Sequence, residues 1–509
     1  SNFIILSFCL SKINSSNSSN TFFFLVAQII PGAPQNIDQQ MIQQVFGAPP
    51  SNNIPQNYYN GPVHPQNQWY GGMMNDQQAP RPHNFVQNSN NLRNMPMPMP
   101  DVQNATGWDL GDDFIPFEGA VDEDFDWALY KTLSTKSTSN LLVSPVCVKL
   151  LLMMLYEGAS GDTKLEILRL LSLPDSYQSN RERAGKIIAS LKAKNPAYHL
   201  DFDTRIYISH MIQPRQRFNA IAKMFYDSDI VSIDFTNGIN KNNSDGTVTK
   251  YDSATIMNQW VANVTRGHIT ELVNHADVYG AVMVLLNVIY FKGEWRKQFP
   301  EENTTLGKFY LDVDKPITVP FMRQQGVFFY HDSKELDARI LRMPYKGGKF
   351  SAIFILPNTM RNGLQHLQQN LNAQLLRQQL WLMDEVELNV TLPKYKFDFK
   401  AKLVDTLKEM GLQSVFSPTT SSLPGIARGL SPQDTLSISG IMQKAGIEVN
   451  EKGSTVYAAT EIVLTNKFGN DREVSFLATR PFMFFIQDET SGTILFIGEV
   501  LNPLETSNE

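Results

Sequence analysis

The sequence predicts an α+β domain over residues 123–505 of the 509-residue chain. Three observations carry this. Long helical patterns lie mostly in the first half of that span. Strand patterns lie mostly in the second half. A pair of apolar strands around a turn closes the chain, which places all of this in one layered domain rather than a string of modules.

The elements are read in chain order. "TFFFLVAQ", residues 21–28, is a short apolar run ending in small or polar residues, and "FIILSFCL", residues 3–10, is a second such run. Neither is long enough to span a bilayer, and residues 1–30 read as a secretory leader. Residues 31–122 read as a disordered extension. Between Pro31 and Pro100 the formal charges are Asp38, Asp76, Arg81 and Arg93 in a background of Gln, Asn and Pro. Too little apolar surface is available there to offset the entropy of ordering. "WDLGDDFIPFEGAVDEDFDW", Trp108 to Trp127, is acidic and aromatic. It reads either as a solvated linker or as a docking strip for a basic partner surface.

"LLVSPVCVKLLLMMLYEGASG", Leu141 to Gly161, predicts a buried helix. Ser144 is placed to cap it, Pro145 suits its first position, and Gly158 and Gly161 would end it. "AVMVLLNVIYF", Ala281 to Phe291, is a continuous run of strand formers, expected to be central and buried on both faces. Asn287 lies in its middle, so its amide needs buried partners. "VELNVTLPKYKF", Val386 to Phe397, alternates. Val386, Leu388, Val390 and Leu392 are expected to face in, and Glu387, Asn389 and Thr391 to face out. "RPFMFFIQDETSGTILFIGEV" predicts the closing hairpin around "DETSGT".

The balance of 44 basic and 50 acidic side chains, net −6, argues against a general nucleic-acid binder. Two cysteines, Cys9 and Cys147, make no disulfide framework. No Gly-x-Ser-x-Gly elbow, His-Glu-x-x-His pair, zinc-spaced Cys/His cluster or phosphate loop occurs. "YHDS", residues 330–333, sets His, Asp and Ser side by side, but neighbouring side chains point in different directions. The sequence therefore predicts no catalysis, no metal and no cofactor.

One stretch reads as strand material outside a sheet. Ser454, Val456, Ala458, Thr460, Ile462 and Leu464 share a small or apolar face. Thr455, Tyr457, Ala459, Glu461, Val463 and Thr465 share the other. Proline is absent, so nothing blocks a ladder. Joining a sheet would release on the order of 15–20 kcal/mol before entropy, from three apolar side chains and about a dozen ladder bonds. Directly beyond lies "NKFGND", a lone Lys-Phe pair.

Nine motifs in order resemble the serpin family: "NLLVSPV" (140–146), "LLMMLYEGASGDT" (151–163), "MNQWVANVTRGHITELV" (257–273), "LLNVIYFKGEWRKQF" (285–299), "MPYKGGKFSAIFILP" (343–357), "LPKYKF" (392–397), "LKEMGL" (407–412), "VNEKGS" (449–454) and "RPFMFFIQDETSGTILFIGEVLNP" (480–503). The resemblance implies three β-sheets, about nine helices and an exposed reactive loop over residues 451–479. It implies a hinge at Glu451, Lys452, Gly453, Ser454, Thr455, Val456, Tyr457, Ala458, Ala459 and Thr460. Relatives that inhibit favour small hinge residues, so Val456 and Tyr457 depart from the pattern. The scissile bond would follow Lys467, before Phe468, with Arg472 the competing position.

The same resemblance implies a polar cluster under the sheet opening from Ser144, Asn287 and Gln443, with Trp295 where the loop first inserts. Gln443 stands where the family usually carries His, and Cys147 where it often carries Ser. Arg181, Arg183, Lys186, Lys192 and Lys194 fall where some relatives bind glycosaminoglycan, although a solvated helix face explains them as well. "NKFG" resembles the reactive centre of insect immune serpins that restrain clip-domain, prophenoloxidase-activating proteases and so melanization. The implied protein is a secreted, extracellular, monomeric inhibitor of trypsin-like serine proteases, or a non-inhibitory carrier on the same fold. Sequons at Asn104, Asn242, Asn263, Asn303 and Asn389 fit a secreted glycoprotein.

Overall fold

The computed structural model describes residues 124–242, 248–428, 436–452 and 474–506. The leader-like segment, the Gln/Asn/Pro-rich extension with its sequon at Asn104, and loop residues 453–473 lie outside the described residues.

The chain begins with α1 (Asp124–Ser134), β1 (Leu141–Val143), α2 (Pro145–Tyr156), α3 (Gly161–Leu170) and α4 (Tyr177–Leu191). It continues through β2 (Tyr198–Ser209), β3 (Gln213–Pro214), α5 (Gln216–Tyr226), β4 (Asp229–Ile233), β5 (Ile239–Asn242), β6 (Val248–Tyr251), α6 (Ser253–Val264), α7 (His275–Val278) and β7 (Met283–Gly293). Next come β8 (Thr305–Tyr310), β9 (Pro316–Ser333), β10 (Ala338–Pro344), β11 (Phe350–Pro357), α8 (Gly363–Asn370), α9 (Ala373–Trp381), β12 (Asp384–Pro393), β13 (Tyr395–Lys402) and α10 (Val404–Glu409). The described chain closes with β14 (Ala427–Arg428), β15 (Gly440–Val449), β16 (Val474–Leu477), β17 (Phe482–Asp488) and β18 (Ile494–Val500). The architecture is α+β, as the sequence predicts.

A five-stranded sheet runs β13-β15-β7-β2-β4. A nine-stranded sheet runs β1-β18-β17-β11-β10-β9-β12-β16, with β8 also on β9. Two ribbons, β3/β14 and β5/β6, complete the described pairing. β7 is the middle strand of its sheet, and its alternation explains the continuous apolar run. Val284, Leu286, Val288 and Tyr290 pack under α6 with Met257, Trp260 and Val261. Leu285, Ile289 and Phe291 face the main core, which includes the apolar residues of α2. Two buried faces call for apolar residues on both, and Asn287 is the one amide in the run.

Four expectations are corrected. Leu141–Val143 is not helical but pairs with β18, where Val143 faces Ile497. An apolar run has no period, so a short strand ahead of a buried helix goes unseen. Helix α2 ends at Tyr156 with Glu157 as its cap. Gly158 lies in the turn beyond and Gly161 opens α3 instead. Ser144 occupies the cap position of α2, but its side chain makes no capping bond. In β12, Thr391 is buried rather than outward-facing, and Val386 is only half-buried. Thr391 lies between Arg323 of β9 and Leu477 of β16, while Asn389, two residues earlier on the same face, is half-buried.

Candidate functional site

The sequence places its unusual segment directly after β15, and the structure shows what lies beneath. β15 and β7 run parallel in the middle of the five-stranded sheet, with Ile441 beside Leu285, Gln443 beside Asn287 and Ile447 beside Phe291. β15 is otherwise paired antiparallel to β13. After Lys452 the described chain resumes at Val474, in β16, on the edge of the other sheet. The intervening segment is thus tethered to two different sheets. A chain turning back from β15 would run antiparallel to both β15 and β7. Only between two parallel strands can one returning strand make antiparallel ladders on both sides. While its far end is fixed in β16, the segment cannot complete that move.

Below the seam, Gln443, Asn287 and Ser144 are buried together. Gln443 Nε2 donates to Asn287 Oδ1 at 2.9 Å and to the Ser144 carbonyl at 3.0 Å. The Ser144 amide donates to Gln443 Oε1 at 2.8 Å. Asn287 Nδ2 donates to Thr204 Oγ1 at 2.9 Å, extending the network to β2. Ser144 therefore contributes its backbone, while its hydroxyl makes no capping bond and lies beside the Cys147 thiol. The network crosses the seam, so strand insertion must break it. An amide does so without titrating. Burial pushes the neighbouring Cys147 thiol up to about 11, so the thiol stays protonated and behaves as a small core residue.

Trp295 lies apart from this cluster, past the far end of β7. It is 2% exposed, stacks on Tyr345 at 4.4 Å, and donates Nε1–H to the Asn450 carbonyl at 3.0 Å. Glu451, at the base of the segment, is buried. Thr304 Oγ1 donates to its Oε1 at 2.7 Å, and Lys394 Nζ lies 2.8 Å from Oε2. Burial would raise the Glu451 carboxyl, but Lys394 and Thr304 outweigh it and hold it below its ordinary value. Lys452 is exposed and pairs with Glu301 at 2.9 Å. Gly453, Ser454, Thr455, Val456, Tyr457, Ala458, Ala459, Thr460, Lys467, Phe468 and Arg472 lie outside the described residues.

The remaining candidates scatter. Asn263 and Asn303 are exposed, Asn389 is half-buried in β12, and Asn242 ends β5. Arg181 turns inward to Glu157, while Lys192 pairs with Asp227. The five basic residues on and after α4 therefore do not form one uncompensated stripe. Sequence reasoning missed Glu448, Lys292, Lys394 and Thr304, which brace the top of the seam. Each is an ordinary polar residue until the strand register sets it beside its partner. Among the described residues no His/Cys/Asp/Glu group is arranged to hold a metal. No helix among them is long and apolar enough to cross a membrane.

Comparison with known proteins gives a consistent result. A family model described as Serpin (serine protease inhibitor) matches residues 120–503. Serine protease inhibitor 2 of Anopheles gambiae is 38% identical over 396 residues, covering 76% of this chain and 93% of its own. Serine protease inhibitor 42Dd of Drosophila melanogaster is 30% identical over 381 residues, covering 74% and 95%. Human antithrombin-III is 28% identical over 414 residues, covering 80% and 84%. Among solved structures, Serpin48 of Tenebrio molitor superposes with a TM-score of 0.63 at 28% identity, over 75% of this chain and 96% of its own. Serpin-12 of Manduca sexta gives 0.65 at 23% identity, over 76% of this chain and all of its own, and speaks to the fold alone.

Proposed function

Because this chain belongs to the serpin family, we propose that it is a serine protease inhibitor that works as a suicide substrate, cleaved between Lys467 and Phe468 by a trypsin-like enzyme. The observation that carries the reading is the tether: one end of the segment leaves the central parallel pair and the other is fixed in β16. Attack by the protease serine on the Lys467 carbonyl expels the Phe468 amine and leaves an acyl-enzyme. That scission frees the N-terminal arm from β16. The arm turns back between β15 and β7, carrying the ester-linked enzyme with it. Distortion of the attached active site then stalls deacylation, since catalytic geometry tolerates little displacement. This chain lends no catalytic group.

Lysine before the bond suits an acidic specificity pocket. The "NKFG" stretch resembles the reactive centres of serpins that restrain clip-domain proteases, and the inhibitor so read brakes prophenoloxidase activation and melanization. The leader-like start and the exposed sequons Asn263 and Asn303 support a secreted, extracellular glycoprotein.

The test is incubation with a clip-domain protease followed by denaturing electrophoresis. A covalent adduct is expected, lost in Lys467→Ala, together with a cleaved form that melts far above the intact protein. Clean cleavage with neither adduct nor added heat resistance would establish the carrier reading instead, which the bulky Val456 and Tyr457 of the hinge would then explain.

A further inference from the structure

A cleft of about 740 Å³ opens between α4, the start of α5 and the β3/β14 ribbon. Arg181, Arg215, Arg217 and Arg428 line it, and Glu157 is the one carboxylate among the described lining residues. That carboxylate is already engaged. Arg181 donates to it through Nε at 2.9 Å and Nη2 at 2.7 Å, and the Tyr226 hydroxyl donates at 3.2 Å. Among the described residues no ion pair engages Arg215, Arg217 or Arg428. The described residues of the wall therefore carry a surplus of three positive charges over the paired Arg181 and Glu157.

Arg215 adds an unsatisfied donor. Its Nε is shut off from solvent and has no acceptor among the described residues. A buried charged donor without a partner is unfavourable unless something else completes it. Arg215 also holds the position just before the first turn of the 11-residue α5. The first residues of that helix, Gln216 to Phe218, line the same cleft, so the positive end of the helix dipole adds to the field. The rest of the described wall is mixed: Tyr177 and Pro214 offer apolar surface, Gln213 and Gln216 are polar, and Phe218 and Ile221 are buried beneath it. The volume falls within the ~300–1,000 Å³ usual for small-molecule sites.

We propose that this cleft binds an amphipathic organic anion, a phosphate or sulfate ester on an aromatic or aliphatic body. Arg215 and Arg217 hold the charged head, and the ring of Tyr177 with Pro214 holds the body. Planar guanidinium forks match tetrahedral oxyanions in a way that scattered surface lysines do not. The site is separate from the seam between β7 and β15.

Calorimetric titration of the full chain tests this, with 1-naphthyl phosphate, 1-naphthyl sulfate, 1-naphthol and inorganic phosphate as the four probes. One ester should bind at a single site, with naphthol and inorganic phosphate weaker by about tenfold or more, because each lacks half of the recognition. The tighter ester identifies the natural head group. Arg215→Gln and Arg217→Gln should each weaken that ester about tenfold, as loss of a charge-assisted hydrogen bond does. Arg183→Gln, which removes the same charge from α4 outside the cleft, should change it by less than about twofold. Arg217 is exposed, so its variant keeps the fold even if that of Arg215 does not. Absence of ester binding, equal binding of inorganic phosphate, or an Arg183→Gln loss as large as that of Arg217→Gln would overturn the proposal.

Discussion

Lys292 Nζ and Glu448 Oε1 lie 2.9 Å apart, on opposite sides of the seam between β7 and β15. The Tyr290 hydroxyl, also on β7, donates to Glu448 Oε2 at 3.4 Å. Lys396, 3.5 Å from the same oxygen, approaches from β13 instead and would move with β15. A strand inserted between β7 and β15 separates the first two contacts by one further strand spacing, about 5 Å, and leaves the third intact.

Glu448→Gln should therefore speed insertion. A half-buried ion pair of this kind is worth about 1 kcal/mol, or roughly fivefold in rate. Lys292→Met should do the same and Lys396→Met should not. Stopped-flow inhibition kinetics and the number of inhibitor molecules consumed per enzyme provide the readout. Equal behaviour of the Lys292 and Lys396 variants would remove the seam from the account.

Gln443→Leu should destabilise the intact protein. It leaves Asn287 Oδ1 and the Ser144 amide without their shared partner in a dry site. Two orphaned groups cost about 2–4 kcal/mol. Urea unfolding of the uncleaved molecule measures it, and a loss below half a kcal/mol would show that water enters the site.

Acid should reveal Asp277. It pairs with Lys400 and Lys402 of β13, both at 2.6 Å, and caps α7 in a reciprocal box with Asn274. Burial would raise its carboxyl, but the two lysines outweigh burial and hold it at about 2, against an ordinary 3.8. The unfolded chain takes up the proton first, so the stabilisation is complete above the ordinary value and disappears as pH falls through about 2. Asp277→Asn should lose about 2 kcal/mol at neutral pH and none at the acid end of that window. Thermal melts from pH 7 to pH 2 follow the difference; a constant gap would exclude the carboxylate as its source.

Gly158→Ala should cost about 1–3 kcal/mol, the usual penalty for overfilling a packed contact. A Cβ there would strike the Ile426 side chain and lie 2.9 Å from its backbone nitrogen. Gly425 donates its amide to the Gly158 carbonyl at 2.9 Å, so the two glycines pack backbone against backbone. Differential scanning calorimetry of Gly158→Ala and Gly425→Ala tests the contact, and unchanged melting of both would mean that the loop yields.

Much of the fold was legible because local pattern and tertiary role agree. The run through Phe291 is apolar but for Asn287 because β7 is covered on both faces, and "DETSGT" joins β17 to β18 as its turn residues indicate. What escaped depends on register between distant residues. Gln443 and Asn287 are 156 positions apart, and no spacing rule links them; their placement under the seam was implied by resemblance alone. Glu448 and Lys292 each look like ordinary polar positions on a strand, and only parallel pairing sets them together. The Arg215 cleft was illegible for the same reason. Its arginines come from α4, α5 and β14, and nothing local distinguishes them from solvated charges.

Trp295 supplies a label-free optical signal. Its ring lies flat against Tyr345 and its N–H is tied to Asn450, the last residue before the base of the tethered segment. Any opening there changes the polarity around one indole out of the chain's six. Emission from the unmodified chain, with Trp295→Phe as the blank, should therefore time the first movement of the sheet before any bond is broken.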